Sequence, residues 1–83
     1  MDVLDKSFES AIQIVNNLKI KPSNEELLEV YGLFKQSKFG DNITQKPVFM
    51  DFKGCKKWDA WTNNKGKDQT IAKQEYIIQH QNL

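Results

Sequence analysis

Residues Pro22–Gly40, PSNEELLEVYGLFKQSKFG, decide the fold, because they contain the clearest helix start in the chain. Ser23 and Glu26 have the spacing of a capping box: the serine oxygen accepts from the third backbone amide, and the carboxylate reaches back to the cap's own N–H. Pro22 disfavours helical geometry at Lys21 and so separates this helix from what precedes it. Leu27, Val30, Tyr31 and Phe34 follow at helical spacing until Gly40, a residue suited to the left-handed conformation just past a helix end. Beside that apolar stripe, Leu28, Tyr31 and Lys35 step three and then four. This sets a phenol and an ammonium one turn apart at the edge where core meets solvent. Such a pair can hold a phosphate if a second cationic helix faces it. A half-buried tyrosine beside a snorkelling lysine accounts for the same spacing.

Upstream, Leu4, Phe8, Ala11, Val15 and Leu18 keep one stripe on one face, which predicts an amphipathic helix over about Val3–Leu18. Downstream, Asp41–Pro47 carries turn formers and an X-Pro step and reads as the longest loop. Asp51 is placed to cap a third helix that runs to about Asn64 through Phe52, Cys55, Trp58 and Trp61. Gly54 weakens its start, and Gly66 is placed to terminate it. Asp68 then caps a last helix with Ile71, Ala72, Tyr76 and Ile78 on its inner side. Helices without strands make the expected fold class all-α.

The chain has 83 residues, enough for one small domain whose ligand site must share helices with the core. Its formal net charge is +1, from 12 basic against 11 acidic side chains, so any selectivity for anions must be local. Every basic side chain is lysine, which leaves phosphate to point charges and hydroxyls rather than to bidentate arginine. The single Cys55 excludes an internal disulfide and fits a reducing compartment, with an inert helix-face thiol as its reading. The start, MDVLDKSFESAIQIV, lacks the basic beginning and apolar run of a secretory signal, and no stretch is apolar enough to span a bilayer. A soluble, cytoplasmic protein is the expectation.

The second cationic helix is found in Phe52–Trp61, FKGCKKWDAW, where Lys53, Lys56 and Lys57 share one face. Like charges at this spacing repel, which invites a counter-anion, although a solvated basic face has the same pattern. Trp58 and Trp61 read as packing residues. The lone His80 has no nucleophile to pair with and reads as a partner of the last turn's carbonyls or of water. No catalytic set and no metal-ligating set emerges. Two rivals to an anionic ligand stand: a nucleic-acid-binding helical domain using the three lysines, and an interaction bundle exposing Phe39, Val48 and Phe49.

These residues resemble the small acyl-CoA-binding proteins, also called diazepam-binding inhibitors. The likeness is carried by Pro22-Ser23, Glu25, Leu27, Val30-Tyr31-Gly32, Phe34-Lys35-Gln36-Ser37 and Gly40. A second block, Asp51-Phe52-Lys53-Gly54 with Lys57-Trp58-Asp59-Ala60-Trp61, adds to it, and the whole extends from about Phe8 to Tyr76. The resemblance implies one domain over residues 1–83, a skewed up-down-down-up four-helix bundle. It implies non-catalytic binding of medium- to long-chain acyl-CoA, as an intracellular carrier and pool former in lipid metabolism. Tyr31, Lys35 and Lys57 would then hold the ribose 3′-phosphate, Phe34 and Tyr76 would lie against the nucleotide, and Lys53 would lie along the ligand. It further implies no cofactor beyond the long-chain fatty acyl-CoA ligand, no metal, and no nucleic-acid partner. A monomer without stable membrane insertion, in transient contact with acyl-CoA-using enzymes, completes the expectation.

Three positions depart from the family pattern. Asn16 stands where a lysine is common, Lys38 where a small residue is usual, and Phe34 where many members have tyrosine. The first removes one charge, which predicts weaker nucleotide binding unless Lys38 or Lys56 compensates.

Overall fold

The computed structural model describes residues 2–83, which form four helices and no strand: α1 Val3–Asn16, α2 Asn24–Phe39, α3 Phe52–Thr62 and α4 Gln69–His80. Each helix starts at a side chain that satisfies an otherwise orphaned amide. Asp2, Ser23, Asp51 and Asp68 are the caps. In α2 the capping box is complete: the Glu26 N–H donates to Ser23 Oγ at 3.1 Å and the Ser23 N–H donates to Glu26 Oε1 at 3.0 Å. Gly40 closes the helix with φ at 77°, a conformation that side chains with a Cβ rarely adopt.

The first helix stops at Asn16, short of the expected Leu18. Asn17 turns its side-chain amide back onto the Gln13 carbonyl at 2.7 Å, and its N–H bonds to Ile14 O, which ends the regular pattern. Leu18 still tucks partly under the chain.

Helices α2 and α4 form the centre: α2 packs on α3 and α4, while α1 packs on α4. The core is Phe8, Ala11, Val30, Leu33 and Tyr76, with the Phe8 and Tyr76 rings edge to face at 5.2 Å. Ala72 is wholly buried. The inward set expected for α4 needs correction, because Ile71 and Ile78 are 47% and 61% exposed. Helix α4 lies between α1 and α2, so its buried line is the Ala72–Tyr76 row flanked by Ile77, and the two isoleucines fall on its outer flanks.

Close approach of α2 to α3 depends on Gly32. A methyl group built there would overlap the Ala60 carbonyl. Both tryptophans pack as expected and also tie α3 to the preceding loop: Trp61 Nε1–H donates to Gly40 O at 2.8 Å and Trp58 Nε1–H to Thr44 O at 3.0 Å. Gln36, only 1% exposed, donates from Nε2 to Asp41 Oδ1 at 2.9 Å and to Lys67 O at 2.8 Å, fastening the end of α2 to the α3–α4 connection. No helix among the described residues is long and apolar enough to cross a membrane.

Candidate functional site: a lysine-lined groove between α2 and α3

The contact at Gly32 joins α2 and α3 near their C-terminal halves, and the space toward their N-termini opens as a groove of about 660 Å³. Its apolar wall is Leu27 and Leu28 from α2 with Phe52 from α3, joined by the ring of Tyr31. Lys21, Lys53, Lys56 and Lys57 provide the charged rim, with Asn24 beside them. No carboxylate lines this space.

The charge balance is what sets the groove apart. Lys38, Lys46, Lys67 and Lys73 each hold a carboxylate, Glu9, Asp59, Glu75 and Asp5 respectively, at 2.7–3.1 Å. None of the four groove lysines has such a partner among the described residues. Unneutralised ammonium groups around an apolar floor favour an amphipathic anion.

A second hollow of about 270 Å³ adjoins the first and shares Tyr31 and Leu27 with it. Phe34, Tyr76 and Asn16 line it, together with Ile12, Val15 and Val30. Burial pushes the Tyr76 phenol up to about 12, so it is neutral and able to donate throughout the ordinary pH range.

The structure thus brings Tyr31, Lys53 and Lys57 to one groove, with the Lys57 ammonium 5.2 Å from the Tyr31 ring centroid. Phe34 and Tyr76 sit in the adjoining hollow, their ring centroids 6.5 Å apart. Lys35 lines neither space. Its ammonium stacks over Phe39 at 4.5 Å and over Trp61 at 4.8 Å, one turn along α2 from Tyr31. Lys38 is occupied by Glu9, whereas Lys56 lies in the groove, so of the two suggested replacements for a charge at Asn16 only Lys56 is placed there. Lys21, Asn24 and Phe52 were not legible as groove residues, because their neighbourhood depends on how α2 and α3 come together. His80 Nδ1–H donates to the Ile77 carbonyl, as its position suggested.

An all-α bundle with an amphipathic, cation-rimmed groove is the class this architecture defines. A family model described as acyl CoA binding protein matches residues 5–79, and the chain belongs to that family. It is similar to an acyl-CoA-binding protein homolog of Drosophila melanogaster, 45% identical over 75 residues, 90% of this chain and 87% of the relative. An acyl-CoA-binding protein of Saccharomyces cerevisiae is 47% identical over 75 residues, 90% of this chain and 86% of that one. The fold matches the crystal structure of Oryza sativa Acyl-CoA-Binding Protein 2 with a TM-score of 0.91 and 35% identity, covering 96% of this chain and 89% of that chain.

Proposed function

We propose that this protein binds medium- to long-chain acyl-CoA esters without reacting with them, and serves as a carrier and pool former for them in the cytoplasm. The carrying observation is the groove itself: an apolar floor under four lysines, none of which is salt-bridged to a carboxylate among the described residues. In this reading residues 1–83 act as one binding domain and as a monomer, with no cofactor besides the ligand and only transient contact with acyl-CoA-using enzymes.

The residue roles are those that the family resemblance implies, set onto the groove and the hollow beside it. The acyl tail lies on Leu27, Leu28 and Phe52, with Lys53 along it. Tyr31 and Lys57 hold the ribose 3′-phosphate, and Lys35 swings from its stack on Phe39 and Trp61 to join them. Phe34 and Tyr76 receive the nucleotide in the adjoining hollow. Burying a methylene contributes about 0.8 kcal/mol, so ~10 buried carbons give on the order of 8 kcal/mol before ordering costs. A charged hydrogen bond at the wet rim contributes less, about 1.5–3 kcal/mol each. The tail therefore sets affinity, and the headgroup sets selectivity.

Titration calorimetry with octanoyl-, palmitoyl- and unacylated CoA tests the reading. Affinity should rise with tail length, and equal affinity for all three would overturn it.

A further inference from the structure

We propose that this protein accepts acyl-CoA whose tail carries a hydroxyl at its far end, and that Glu25 and Glu29 receive that hydroxyl; the proposal rests on the acyl-CoA reading. A further recess of about 520 Å³ lies between α2 and α3 and is bordered by Lys67 and Glu75. Leu28 of α2 and Lys56 of α3 line both this recess and the groove, so the two spaces meet there. A tail that runs over Leu27 and Leu28 from a headgroup at Tyr31 and Lys57 brings its end to that boundary. Lys56 is exposed and in no salt bridge among the described residues, so its stem can turn aside and let the end through.

The chemistry changes across the boundary. On the groove side the tail lies on Leu27, Leu28 and Phe52. In the recess every lining side chain other than Leu28, Leu33 and Ala60 is polar or charged. Several of these are already engaged: Asp59 is held by Lys46 at 3.1 Å, and Lys67 donates to Glu75 at 2.7 Å and to Asn64 at 3.0 Å. Glu25 and Glu29 are not. They lie one turn apart on α2, exposed and in no salt bridge among the described residues. A methyl end pushed among them would strip water from carboxylates and gain little apolar cover, whereas a hydroxyl donates to one of them. A carboxylate at the tail end is the wrong partner, because Glu25 and Glu29 outnumber Lys56. An ammonium end is turned back by Lys56 at the boundary itself. The end group that suits both the passage and the recess is therefore neutral and a donor.

The test is titration calorimetry of the full chain with palmitoyl-CoA, its ω-hydroxy and ω-carboxy analogues, and an analogue hydroxylated at mid-chain. A hydroxyl buried on apolar side chains without a partner weakens binding about ten- to a hundredfold. That loss is expected for the mid-chain hydroxyl, which falls on Leu27 and Phe52. The ω-hydroxy tail should instead bind within about threefold of palmitoyl-CoA or more tightly, and the ω-carboxy tail more weakly than either. The double variant Glu25→Leu/Glu29→Leu removes both acceptors and should weaken the ω-hydroxy tail about tenfold relative to palmitoyl-CoA. If that variant melts early, the four-ligand series on the unaltered chain decides alone. A loss of about tenfold or more for the ω-hydroxy tail on the unaltered chain overturns the proposal. So does an ω-carboxy tail that binds more tightly than the ω-hydroxy one, or a folded double variant that keeps the native ratio of affinities. Failure of palmitoyl-CoA itself to bind would defeat the acyl-CoA reading, and this proposal with it.

Discussion

The ammonium of Lys57 lies 5.2 Å from the centroid of the Tyr31 ring, so the two helices that wall the groove meet there through a cation and a π face. At an exposed site this contact contributes about 0.5–1 kcal/mol, too little to fix either side chain against a dianionic ligand. Lys57→Ala should therefore weaken acyl-CoA binding about ten- to a hundredfold, the worth of one charged hydrogen bond, and lower the melt by only a few degrees. Calorimetry and circular dichroism on the same variant check both halves. Lys35→Ala should weaken binding similarly, and its lost stacking on Phe39 and Trp61 should lower the melt slightly.

Gly32→Ala forces a methyl against the Ala60 carbonyl and the Asn64 side chain. Overpacking of this kind costs about 1–3 kcal/mol. In a domain of this size each kcal/mol shifts Tm by about 4–8 °C, so a clear drop is the expected outcome of a thermal melt. Acyl-CoA affinity should fall as well, since the same contact sets the spacing of the groove walls.

Asp41 gives the fold an acid-side dependence. Its carboxylate accepts from the Gln36 side chain and from the Gly66 N–H, which hold its pKa below the ordinary 3.8. A lowered carboxylate pKa contributes stability that is present above the unfolded value and lost as pH falls through the folded one. Denaturant melts from mildly acidic pH downward should show the native chain losing its advantage over Asp41→Asn once the pH drops below about 3.8.

Tyr76 supplies the opposite sign. Its pKa is raised by burial to about 12 from 10.0, so its contribution is complete below pH 10 and is lost as pH rises through the folded value. Phenolate absorbance should show a component titrating at about pH 12 that is missing in Tyr76→Phe. The variant should match the native melt at neutral pH, because its ring still packs edge to face against Phe8.

The helix starts were readable because each rests on a local chemical device: Ser23 with Glu26, Asp51 before its turn, Asp68 before Gln69. Inner faces were harder. Helix α2 contacts both α3 and α4, so its buried positions, Val30, Gly32, Leu33, Gln36 and Ser37, spread around the cylinder, and Leu33 was missed between two stripes. In α4 the small Ala72 marks the close approach better than the larger Ile71 and Ile78, whose hydrophobicity suggested burial that the packing does not give them. The pairing of Tyr31 with a cationic α3 was visible from residue types. The aim of Lys35 was not, since it depends on where Phe39 and Trp61 converge in three dimensions. Lys21 and Asn24 joined the groove only through the crossing of two helices, which no periodicity encodes.

Helix α3 packs on one helix, α2, as α1 packs on α4 alone, and the preceding loop holds it through Cys55, Trp58, Asp59, Trp61 and Thr62. A jaw hinged along one side yields before a clamped beam does. The outer jaw can thus give way to a thicker guest while α2 and α4 stay shut, and amide deuteration of α3 should outpace that of α4.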